Sequence, residues 1–90
     1  MALAIIKIKI MPENLEVDLK KIEKSLIEKC DKVSAVLNKV ETQDIAFGLK
    51  ALVATIGWPE EKSQEELEKE IKSISGVSST EIIDYRRAIG

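Results

Sequence analysis

The run AIIKIKI, Ala4 to Ile10, alternates: Ile6, Ile8 and Ile10 share one side while Lys7 and Lys9 share the other. A period of two is that of an extended strand with one face in a core and the other in water. Such a strand cannot bury its isoleucines alone. The rest of the chain must supply strands beside it and a cover for one face. Pro12 ends the run.

The cover is legible downstream. From Asp18, an N-cap residue type, Leu19, Ile22, Leu26 and Cys30 recur at helical spacing, with Lys20, Lys21, Lys24 and Glu28 on the opposite arc. Val33 to Thr42 is β-branched and alternating, as is Lys50 to Ile56 (KALVATI), and the two form a predicted hairpin around the turn at QDIAFGLKAL, Gln43 to Leu52. After Trp58-Pro59 comes a polar stretch in which Ser63 and Glu66 have capping-box spacing, opening a second helix that buries Leu67, Ile71 and Ile74. Gly76 stops that helix, and Val77 to Arg86 reads as a last strand.

The order strand, helix, strand, strand, helix, strand is the split βαβ pattern. It implies an α+β, ferredoxin-like fold, an antiparallel sheet with two helices on one face, in a single domain spanning residues 1–90. Right-handed crossovers send the first two strands one way and the last two the other. The turn between the second and third strands then lies at one end of the sheet and the end of the fourth strand at the other. Strands of this length put these poles roughly 25 Å apart.

Composition narrows the function. With 14 basic and 16 acidic residues the net charge is -2, which argues against a general nucleic-acid surface. An RNA-binding version of this fold would stack bases on aromatics in its first and third strands. AIIKIKI and KALVATI contain none. Histidine is absent and Cys30 is the only cysteine, which removes the usual general base, the usual zinc ligand and any intrachain disulfide. No metal, cofactor or catalytic residue is expected. No Gly-rich phosphate loop occurs, so the chain is not expected to hold a nucleotide by its own backbone. Lysines interrupt the apolar start, as they do not in a signal peptide or a membrane span, so a soluble cytoplasmic protein is expected.

Three short segments stand out. Phe47, the only phenylalanine, precedes Gly48 and lies three residues before Lys50. Either it folds back to cap the core beneath the hairpin, with Gly48 supplying a positive φ, or it is an exposed aromatic anchor for a partner. Arg86 and Arg87 follow an otherwise acidic and apolar strand. They are either solvated or a mobile basic arm able to enter a phosphate or metal site. Trp58-Pro59 reads as a stop at the end of the third strand, with surface recognition as the alternative. The lysines from Lys20 to Lys24 read as a solvated helix face.

At QDIAFGLKAL the chain resembles the guanine-nucleotide exchange domain of the elongation factor 1-beta/delta family, most closely its short archaeal form. The resemblance covers nearly the whole chain. It includes MPE (Met11 to Glu13), the Val17-Asp18-Leu19 helix entry, IAFGLKAL (Ile45 to Leu52) and the ending VSSTEIIDYRRA (Val77 to Ala88). It implies a ferredoxin-like fold and exchange of GDP for GTP on elongation factor 1-alpha, the GTPase that delivers aminoacyl-tRNA. It further implies that Phe47, with Gly48 and Lys50, binds the second domain of that partner. In eukaryotic relatives a lysine next to the C-terminus disturbs the partner's magnesium and phosphate site. The penultimate residue here is Ile89, which does not match, leaving Arg86, Arg87 and Lys50 as cations for the role, in that order. The alternative function is a ferredoxin-like sensing or regulatory domain that pairs into dimers and binds a small molecule at the seam.

Overall fold

The structure, a computed structural model, describes residues 3–87. Its elements are β1 (Leu3–Pro12), α1 (Leu19–Lys32), β2 (Val36–Ala46), β3 (Leu49–Pro59), α2 (Gln64–Lys72) and β4 (Val77–Arg87). The strands form one antiparallel sheet in the order β2-β3-β1-β4, the ferredoxin-like α+β arrangement. As expected, β1 and β2 run one way, β3 and β4 the other.

The alternation in β1 sets the core. Ala4, Ile6, Ile8 and Ile10 are fully buried, and beside them in the β3 ladder lie Trp58, Ile56, Ala54 and Leu52. Against this face pack Ile22 and Leu26 of α1 and Leu67 and Ile71 of α2. Each such aliphatic side chain contributes roughly 1.5–3 kcal/mol by leaving water. Helix α1 starts where Asp18 accepts the Lys20 N–H at 3.0 Å, and Lys29 and Lys32 in its last turn complement the helix dipole. Cys30 is buried within the cluster, and burial with Asp31 alongside pushes its thiol up to about 11, so it is an inert core group.

Element boundaries depart from the sequence reading in three places. The second strand begins at Val36 rather than Val33, because Val33 is the C-cap of α1 and Ser34 turns the chain away at φ 60. The third strand runs on to Pro59, carrying Trp58 into the core at 1 % exposure, so Trp58 takes no part in surface recognition. Ser63 caps the second helix, but the capping box with Glu66 does not form. The Ser63 hydroxyl accepts from Glu65 N–H at 3.2 Å, while the Glu66 N–H goes to the Ser63 carbonyl oxygen.

Four single-residue bulges decide which way side chains point. The ladders skip Asn38 and Ile45 in β2 and Ser78 and Ile83 in β4. Each inserted residue reverses the inward and outward alternation beyond it.

Candidate functional site

The hairpin between β2 and β3 closes on the Ala46–Leu49 pair, which leaves only Phe47 and Gly48 in the turn. Both have positive φ, 53° and 80°. That is the signature of a type I′ turn, whose twist matches the flanking strands and whose usual residues are Asn-Gly. Gly48 adopts it freely. Phe47 does so at a cost of about 1–2 kcal/mol, since its Cβ crowds the following carbonyl. Nor is the cost offset by burial: Phe47 is 97 % exposed. The core-capping alternative is therefore excluded, and the side chain stands clear at the apex. Lys50 is exposed and sits opposite Asp44 across the hairpin.

Beside the apex lies the segment between β1 and α1. Here Leu15 is 64 % exposed, and its Cδ2 comes within 3.9 Å of the position a Cβ on Gly48 would occupy. Asn14, Leu15 and Glu16 from this segment and Ala46, Phe47 and Leu49 from the hairpin line an open, mostly apolar groove. It adjoins a second groove that continues past Gly48 to Lys50. The segment is held in place rather than loose. Asn14 Oδ1 accepts the Glu16 N–H at 2.9 Å, and the Glu13 N–H donates to the Gly76 carbonyl oxygen at 2.9 Å. Leu15 was missed from sequence, where a leucine among ENLEVD carries no periodic signal.

At the opposite end of the sheet, Arg86 pairs in register with Ile5 and Arg87 with Ala4. Both belong to β4 and both side chains are largely exposed, which favours the solvated alternative over a mobile basic arm. The bulge at Ile83 turns Arg87 to the helix-covered face, with Tyr85 and Ala4, and Arg86 to the uncovered face, with Asp84 and Ile5. Each guanidinium is tied to a carboxylate: Arg86 Nε lies 3.1 Å from Asp84 Oδ2, and Arg87 Nε 3.4 Å from Glu60 Oε1. The second contact is an ion pair without an aligned hydrogen bond, because that buried Glu60 oxygen has no hydrogen-bonding donor. Both arginines remain largely exposed, and such pairs contribute at most about 1 kcal/mol. Ile89, the position of the relatives' lysine, lies outside the described residues, as do Ala88 and Gly90.

Phe47 and the arginine pair thus occupy two poles of a body whose longest dimension is 41 Å. Lys50 belongs to the Phe47 pole and cannot share a site with the arginines. Among the described residues, no group of three His, Cys, Asp or Glu could hold a metal ion, and no helix is long and apolar enough to cross a membrane. Across the uncovered face of β1 and β3 there is no aromatic side chain, since Trp58 points into the core.

Residues 5–88 match the family model of the EF-1 guanine nucleotide exchange domain. The chain is 40% identical to elongation factor 1-beta of Metallosphaera sedula, over 89% of both chains. It is 38% identical to elongation factor 1-beta of Methanothermobacter thermautotrophicus, over 89% of this chain and 90% of that one. The corresponding protein of Pyrobaculum neutrophilum is 37% identical, over 88% of this chain and 87% of that one. With a family model spanning residues 5–88 and relatives aligned over 87–90% of each chain, the chain belongs to the EF-1 guanine nucleotide exchange family.

Proposed function

We propose that this chain acts in the cytoplasm as the exchange factor for elongation factor 1-alpha, replacing GDP by GTP and so regenerating the form that binds aminoacyl-tRNA. The observation that carries the reading is Phe47: a large aromatic held in a strained turn and left in water within a chain of the EF-1 exchange family. Backbone strain of this kind persists where the surrounding structure enforces it, and it concentrates at functional sites.

In this reading Phe47, Gly48 and Lys50 dock on one domain of the GTPase, while the arginine pole reaches the nucleotide site of another. A GTPase shares the phosphate charge of GDP between Mg²⁺ and its phosphate loop. A guanidinium brought to that site competes with the ion for the phosphate oxygens, and GDP held by fewer compensating charges dissociates faster. Linkage requires that the factor weaken nucleotide binding by the same factor by which nucleotide weakens its own. No covalent step is needed, so the chain needs no nucleophile, general base or cofactor and is not itself an enzyme. GTP then enters because it is the more abundant nucleotide.

A small-molecule sensing domain needs a polar pocket of ligand size. The groove at the Phe47 apex is open and mostly apolar instead, which favours a protein partner over a small molecule. Release of fluorescent GDP from elongation factor 1-alpha tests the proposal. Catalytic amounts of the chain should accelerate release, and raised free Mg²⁺ should diminish the acceleration. Unchanged release at saturating concentrations would overturn it.

A further inference from the structure

We propose that Leu15 is a second anchor beside Phe47, and that the two together fill an apolar depression on the GTPase rimmed by lysine or arginine. This rests on the exchange-factor reading and adds to it a residue and a chemistry for the partner's surface.

Two independent segments build the apex. Leu15 and Phe47 come from different connections of the fold, yet both stand exposed over one groove floored by Ala46 and Leu49. Contiguous exposed apolar surface marks interaction sites in small soluble proteins, whereas isolated exposed leucines need no explanation. Leu15 is not isolated, and its presentation is fixed. The Asn14 side chain folds the segment, and the Glu13 N–H ties it to Gly76. Val17, two residues beyond Leu15, packs so closely on Gly76 that its Cγ1 lies 2.9 Å from where a Cβ would be. A backbone held in this way loses little conformational freedom on binding, which favours the use of Leu15 as an anchor.

The charge around the apex selects the partner. Glu16 lines the groove with Leu15 and Phe47, Glu13 is exposed two residues before Leu15, and Asp44 is exposed across the hairpin from Lys50. An acidic rim about an apolar centre repels an acidic surface and steers a basic one into register. The occupant is thus an apolar socket with a cationic edge, on the same GTPase domain that receives Phe47.

The test is calorimetric titration of elongation factor 1-alpha with the parent chain and with Leu15→Ala, Phe47→Ala and Glu16→Lys, at low and moderate salt. Leu15→Ala should weaken binding about tenfold, the scale of an interface anchor, with the thermal midpoint unchanged because the side chain is exposed. Glu16→Lys should weaken binding at low salt and flatten its salt dependence. Parental affinity in Leu15→Ala, alongside weakened binding in Phe47→Ala, would overturn the second anchor while leaving the exchange reading intact. Parental affinity in both alanine variants would overturn the docking apex itself. A salt dependence that Glu16→Lys leaves unaltered, or tighter binding by that variant, would overturn the cationic edge.

Discussion

Trp58 and Lys62 hold each other: the indole N–H donates to the Lys62 carbonyl oxygen at 3.3 Å, while the Lys62 ammonium lies 5.1 Å from the centre of the indole ring. The same ammonium donates to the Val33 carbonyl oxygen at 3.0 Å, one of the carbonyls left open where α1 ends. One side chain therefore joins the end of β3 to the end of α1. Lys62→Met keeps the aliphatic stem but removes both polar contacts. It should cost about 1–2 kcal/mol, read as a lower denaturant midpoint with an unchanged slope. A midpoint equal to the parent's would mean that water serves Val33 as well.

The strained turn gives an unusual expectation for Phe47. Asn at this position adopts the left-handed conformation more readily and suits a type I′ turn. Phe47→Asn should raise stability by about 1 kcal/mol, since little buried surface is lost, while binding to the GTPase weakens by more than ~1 kcal/mol. Thermal melting and titration of the same sample decide it. A lowered melting point would show that the phenyl ring stabilises the fold despite its exposure.

The opposite faces taken by Arg86 and Arg87 turn a pair into two separate candidates. The double change Arg86→Ala, Arg87→Ala should slow GDP release strongly while most of the affinity remains, because the Phe47 pole still docks. Only one face of β4 can look toward a given partner surface, so one single variant should account for nearly all of the loss. Stability should change by less than ~1 kcal/mol in Arg86→Ala, whose ion pair is exposed, and by more in Arg87→Ala, which leaves the buried Glu60 oxygen without its cation. Release at the parental rate in the double variant would remove the arginines from the mechanism. Comparable partial losses in both singles would replace a specific contact with a diffuse positive charge.

The elements themselves were plain in the residues: Ile6, Ile8 and Ile10 declare β1, and Leu19, Ile22, Leu26 and Cys30 declare α1, because burial selects side chains at the period of the backbone. What failed was what periodicity cannot carry. Ser34 ends the turn after α1 with positive φ, a place where Gly or Asn would have been the signal. Phe47 takes the position where Asn would have announced a two-residue hairpin, so the turn looked longer than it is. The poles were correctly opposed, since crossover handedness fixes strand direction. The facing of Arg86 and Arg87 was not legible, because the bulge at Ile83 leaves no mark in residue type. Leu15 stayed hidden for a related reason: its importance lies in a neighbour, Gly48, that is distant along the chain.

Gly76 limits how freely this corner can vary over generations. Its φ of 93° disfavours any residue with a side chain for a local reason, and Val17 blocks the same atom for a remote one. A smaller residue at 17 would clear the space yet leave the backbone in conflict, and a relaxed backbone would still meet the valine. No single neighbouring substitution opens the site, so a lineage could replace this glycine only through a coordinated pair of changes.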